Sequence, residues 1–85
     1  MTDRDPLLQE REKTHGSFAE NARISQDLKY VFGHTIHKIE NVIYLEALDM
    51  IALKLSRILS GQANFKDHWD DIAGYAKLAS EACDK

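Results

Sequence analysis

Several scarcities narrow the class of this 85-residue chain before any motif is read. A single cysteine, Cys83, excludes an internal disulfide and makes the cytoplasm the default compartment. One proline, Pro6, and four glycines leave long windows in which helices can run unbroken. There is no basic run or stripe, and the net charge is −3 with acids and bases interspersed. The footprint for a nucleic-acid backbone is therefore missing. No apolar stretch approaches the roughly 20 residues needed to span a bilayer, and Met1–Asp5 is too charged for a signal peptide. Residues favouring strands cluster only between Tyr30 and Tyr44, without clean alternation. Neither a glycine-rich phosphate loop nor a serine in a nucleophile setting occurs.

What remains is helical. Apolar residues make up 44% of the chain, enough to argue against disorder. The pattern predicts an all-α chain, a short N-terminal helix plus three longer antiparallel helices. Residues 1–16 form a charged segment with a short helix after Pro6, and residues 17–85 form the helical domain. Thr14-His15-Gly16 is the break between them. Ser17 and Glu20 fit a capping box, opening a helix with Ile24, Leu28, Val31 and Phe32 on one face and Gly33 as its stop. Asn41 is an N-cap for a helix reaching Leu59, which Ser60-Gly61 ends. Asn64 to Asp67 resembles a second capping box before a helix running to about Cys83.

Indexed at 100° per residue, Leu48, Ile51, Ala52, Leu55, Ile58 and Leu59 share one side of the third helix. Glu46, Asp49, Lys54 and Arg57 share the other, interleaved with Met50 and Leu53. On the last helix Trp69, Ile72, Ala73, Ala76, Ala79 and Cys83 form the apolar stripe. That makes Trp69 a core anchor and Cys83 a buried, inert thiol, with His68 a partly exposed pair partner among acids. Gly74 marks a close helix approach, and Tyr75, to one side, faces a pocket or a subunit. Apolar residues among the charges imply that the second faces are also covered. With so short a chain near the lower limit for a core of its own, a homo-oligomer completing a helical bundle is expected, at minimum a dimer.

Asp67 and Asp71, four residues apart, project two carboxylates from one helix face, where Mg²⁺ would relieve their repulsion. Asp67 and Asp70 equally suit the positive end of the helix dipole. Glu46 and Asp49 form an acidic pair on the preceding helix, and Lys54 and Arg57 a basic pair on the same side. Paired bases facing paired acids are what a phosphate-plus-metal site requires, although intrahelical pairing on a solvated face would use the same residues. Lys54 and Arg57 are expected to point into one polar cleft with Asp67 and Asp71.

Three segments carry a family resemblance: REKTHGSF (Arg11–Phe18), ALDMIALKLSRILSG (Ala47–Gly61) and DHWDDIAGYAKLA (Asp67–Ala79). They resemble a family of small phage and prophage proteins of unknown function, which is similar in turn to the MazG-like all-α nucleoside triphosphate pyrophosphohydrolases. The resemblance implies Mg²⁺ held by an E-E-x-x-E and an E-x-x-D element that bridges substrate phosphates. Glu46-x-x-Asp49 and Asp67-x-x-Asp70 echo that spacing, with Leu45 in place of the leading glutamate. Asp71-Ile72-Ala73 matches the closing element alternatively, with His68 where a glutamate would stand. It implies metal ligands among Glu46, Asp49, Asp67, Asp70 and Asp71, and Lys54, Arg57 and Tyr75 toward a nucleotide or other phosphorylated small molecule. The reading is of a Mg²⁺-dependent hydrolase or a non-catalytic nucleotide-sequestering module. A small phage protein that modulates a host protein is the alternative.

Overall fold

A computed structural model describes residues 5–15 and 17–83, with side chains for 5–10 and 17–83. It is helical throughout, with no strand among the described residues. Helix α1 spans Pro6–His15, α2 Phe18–Gly33, α3 Val42–Arg57 and α4 Lys66–Ala82. A 3₁₀ turn at Ile36–Lys38 links α2 to α3, and a wide helical turn at Ile58–Gln62 follows α3. Of the expected break at Thr14-His15-Gly16, Thr14 and His15 belong to α1, and Gly16 lies outside the described residues.

Local chemistry sets most helix starts. The Asp5 carboxylate accepts from the Leu7 N–H at 2.8 Å, and Ser17 Oγ accepts from the Glu20 N–H at 3.4 Å. Asn41 Oδ1 accepts from the Ile43 N–H at 2.8 Å, satisfying one of the N–H groups a helix start leaves bare. Helix α4 departs from expectation: its N-cap is Phe65, and no side chain caps it. Trp69 supports that corner instead, donating from Nε1 to the Ala63 carbonyl at 2.8 Å. Gly33 does not stop α2 by a left-handed turn. Gly61, at φ 117°, is the only residue with positive φ among those described, and it reverses the chain between α3 and α4.

Helix α3 is central. Between residues 44 and 58 only Glu46 and Asp49 are exposed, because α2 packs on one side of the helix and α4 on the other. The packing is antiparallel. The Tyr44 hydroxyl donates to the Ala82 carbonyl at 3.4 Å, and Lys54 meets Asp71 at 2.9 Å, fixing the α3–α4 register at both ends. Asn21 near the start of α2 hydrogen-bonds Ser56 near the end of α3.

The interior is unusual in composition. Its fully buried apolar residues are Ala47, Ala52 and Ile58, whereas Asn21, Ser25, Ser56, Ser60 and His68 are buried polar ones. Two hydroxyls find backbone acceptors one turn back, Ser56 at the Leu53 carbonyl (2.7 Å) and Ser60 at the Arg57 carbonyl (3.1 Å). Burying hydroxyls costs little once each bond is made.

The stripe of α4 differs from the sequence reading. His68, Asp71, Ile72, Tyr75, Ala79 and Ala82 face inward. Trp69 is 51% exposed, Ala73 and Ala76 are also exposed, and Cys83 is an exposed thiol whose Sγ donates to the Ala79 carbonyl at 3.5 Å. His68, expected at the surface, is 1% exposed and lies against the Phe65 ring at 4.8 Å between centroids. Taking Trp69 as a core anchor places the expected stripe one residue, or 100°, away from the observed one.

Candidate functional site

The best-defined polar arrangement lies where the last turn of α3 meets the second turn of α4. Lys54 Nζ contacts Asp71 Oδ2 at 2.9 Å, with the lysine side chain 12% exposed and the aspartate 45% exposed. The lysine thus runs its methylenes between the helices and delivers its ammonium to a carboxylate at the rim. The hydrogen bond from Lys54 holds the Asp71 carboxyl below the ordinary carboxylate range, and the charges of Lys54, His68 and Arg57 act in the same direction against partial burial. Arg57, one turn beyond Lys54, is half-buried on the same side. Lys54, Arg57, His68 and Asp71 therefore form one electrostatic group at the end of the α3–α4 hairpin.

The remaining candidate acids stand elsewhere. Asp70 takes Lys66 at 2.7 Å in an exposed i,i+4 pair, which raises the lysine pKa above its usual value mainly through that hydrogen bond. Asp67 is exposed at the start of α4, and Glu46 and Asp49 are exposed on α3. The antiparallel register explains the dispersal. At 1.5 Å per residue, Glu46 lies about 12 Å along α3 from Lys54, and Asp67 about 6 Å beyond Asp71 in the opposite sense. The two acidic pairs thus sit about 18 Å apart along the hairpin at their outer members. Among the described residues, no group of three or more His, Cys, Asp or Glu side chains is arranged to hold a metal ion.

Tyr75 is half-buried and faces two depressions. One is an apolar groove of about 460 Å³ lined by Val42, Ile43, Glu46, Ala47, Tyr75 and Leu78. The other adjoins it and carries Asp70, Asp71, Gly74, Tyr75 and Leu78. Tyr75 and Leu78 are therefore the side chains shared between the depression beside Asp71 and the apolar groove.

Sequence reasoning missed the burial of His68 and of Ser25, and the buried hydrogen bond between Asn21 and Ser56. Nothing in periodicity marks a serine as a core residue, although Ser56 does lie one turn from Ala52 on the inward face. The groove was missed because Val42 and Ile43 precede the first turn that the apolar indexing covered.

No helix of the described residues is long and apolar enough to cross a membrane. The model of a family described as a domain of unknown function, DUF6378, matches residues 3–83, and the chain belongs to that family. No curated protein matches the chain, and no solved structure matches it either.

Proposed function

We propose that this protein binds a nucleotide or a related phosphorylated small molecule at the Lys54–Asp71 end of the hairpin, as the resemblance to MazG-like proteins implies. One observation carries the reading. Lys54 is nearly buried, yet its carboxylate partner is half open to solvent. A phosphate can therefore replace Asp71 on an ammonium already held in place, at little cost in side-chain ordering. Arg57 supplies a planar fork suited to phosphate oxygens, and Tyr75 an aromatic surface on the same side of α4.

Mg²⁺ enters this reading with the phosphates. That ion keeps several waters and takes one or two protein carboxylates, which Asp71 and Asp67, one turn apart on the same face of α4, can provide. Glu46 and Asp49, about 12 Å and 8 Å along α3 from the level of Lys54, lie too far away to join them on one ion within a chain. The reading is therefore of binding, and pyrophosphate release from a nucleotide panel decides turnover separately. A phage origin and a place in the host cytoplasm belong to the same proposal.

A second reading, a small protein that docks on a host protein, is favoured by the exposure of Glu46, Asp49 and Asp67. One experiment separates the two. Thermal unfolding is followed with nucleoside mono-, di- and triphosphates, with and without Mg²⁺. A ligand at one hundred times its Kd stabilises the native state by about 2.7 kcal/mol, a clear rise in Tm. That rise disappears in a folded Arg57→Ala variant if the site is the one described. No rise with any nucleotide ends the first reading in favour of the second.

A further inference from the structure

We infer that the apolar groove between α3 and α4 is a base pocket selective for guanine, with Glu46 reading the base edge while Lys54 and Arg57 hold the phosphates. The inference rests on the nucleotide reading above and names the class of nucleotide, a guanosine di- or triphosphate.

The groove adjoins the phosphate end. It shares Tyr75 and Leu78 with the depression beside Asp71, so one ligand can lie across both. Its volume of about 460 Å³ lies within the roughly 300–1,000 Å³ of small-ligand sites. Val42, Ile43, Ala47 and Leu78 give it apolar walls, and Tyr75 offers a ring of the kind on which bases stack. Val42 at 73% exposure and Leu78 at 57% leave those walls open to an occupant.

The polar chemistry of the groove narrows the base. Of its six lining residues only Glu46 and Tyr75 have polar side-chain atoms, and Glu46 carries the only charge. A carboxylate accepts hydrogen bonds and donates none, so it suits a base edge that offers donors. Guanine alone among the common bases presents two adjacent donors, N1–H and the N2 amino group, which match the two oxygens of a carboxylate. Adenine and cytosine each set an acceptor nitrogen beside their amino group. Uracil and thymine flank one N–H with carbonyl oxygens. Each of those four therefore turns a lone pair toward Glu46.

Register then sets the length of the ligand. Glu46 lies eight residues, about 12 Å, along α3 from Lys54. Tyr75 falls between them, one turn of α4 beyond Asp71. The donor edge of guanine is the end of the nucleotide remote from its phosphates, so bonds to Glu46 and to Lys54 use the full extended molecule. A nucleoside without phosphates reaches one end only. The separation that keeps Glu46 from sharing a metal ion with Asp71 is thus the separation that a nucleotide laid along the hairpin needs.

The test is calorimetric titration of the full chain, in Mg²⁺, with the diphosphates of guanosine, adenosine, cytidine, uridine and inosine. The guanosine diphosphate is expected to bind about tenfold more tightly than the adenosine one. Inosine diphosphate, which keeps N1–H and lacks the amino group, is expected between them. Glu46 is exposed, so Glu46→Gln is expected to fold as the parent does and to bring guanosine and adenosine diphosphates within about twofold of each other. In methyl NMR spectra, guanosine diphosphate is expected to shift Val42, Ile43 and Leu78, and inorganic pyrophosphate to leave them in place. Equal affinity for the guanosine and adenosine diphosphates overturns the base pocket while the nucleotide reading stands. A guanine preference that survives Glu46→Gln, or groove methyls unmoved by guanosine diphosphate, does the same. No binding of any of the five overturns both readings. If Glu46→Gln misfolds, the order of guanosine, inosine and adenosine diphosphates in the parent, with the methyl shifts, still decides.

Discussion

The two ends of the α3–α4 hairpin are built in opposite senses. Where α3 runs into the Gly61 turn, most of the buried groups are polar: Ser56, Ser60 and His68 stand around Ile58, with Asn21 and Ser25 arriving from α2. At the other end, around Val42, Ile43 and Leu78, large apolar side chains stand in solvent. The comparison teaches that hydrophobic burial is not what positions the polar end. The hydrogen bonds of Ser56 to Asn21 and to the Leu53 carbonyl, and of Ser60 to the Arg57 carbonyl, help to position it, since each hydroxyl or amide left unmade there costs about 1–3 kcal/mol. Such an interior is specific in geometry and intolerant of change, which suits a place that holds Lys54 and Arg57 in fixed directions. The apolar end is the reverse: its large side chains stand exposed within one chain, so changes there cost that chain little.

The sharpest way to break that contrast is to make the polar end apolar. Ser56→Leu adds volume at a fully buried position and strands the Asn21 carboxamide, so a loss of about 3 kcal/mol or more is expected in urea unfolding. A neutral outcome would mean that the polar knot is incidental. Gly61→Ala forces a Cβ into a left-handed backbone at φ 117°, and a loss of about 1–2 kcal/mol is expected by the same measurement although space is open around it. Asn41→Ala removes the cap of α3 and is expected to cost about 1 kcal/mol.

The ion pair between Lys54 and Asp71 gives a pH signature. The Asp71 carboxyl lies below its ordinary value of 3.8 in the folded chain. The folded state thus binds its proton more weakly than the unfolded state does, and the stabilisation is present above that value and lost as pH falls through the folded one. Between pH 5 and pH 2 the parent should lose stability more steeply than Asp71→Asn does. Equal slopes in chemical unfolding would show that Asp71 makes no such contribution. The smallest effect is expected at the exposed pair Lys66–Asp70, where Asp70→Asn should change stability by less than about 0.5 kcal/mol.

Much of the fold was legible because its signals are local. Ser17 and Asn41 cap the helices they were expected to cap, and a cap needs only the next three residues. The turn at Gly61 was likewise readable from Ser60-Gly61. The α4 stripe was not, because the expected stripe runs through Trp69, and the burial of His68 depends on Phe65 and α3. The candidate site was half legible. Of the expected cleft of Lys54, Arg57, Asp67 and Asp71, the structure shows the Lys54–Asp71 contact, whereas Asp67 stands exposed. Which acids stand level across the two helices is set by the turn over residues 58–65, and periodicity within a helix carries no information about that register. Glu46 and Asp49 consequently lie far from Asp67, although each pair has the spacing that a shared ion would need.

Urea unfolding of Leu78→Gln beside Ser56→Ala tests most directly the contrast between a polar end held by hydrogen bonds and an apolar end that stands open within one chain. Leu78 is 57% exposed, so its replacement is expected to change stability by less than about 0.5 kcal/mol. Ser56 is fully buried and bonds Asn21 and the Leu53 carbonyl, so its replacement is expected to cost about 1–3 kcal/mol. Equal losses at the two positions, or the larger loss at Leu78, would contradict the account.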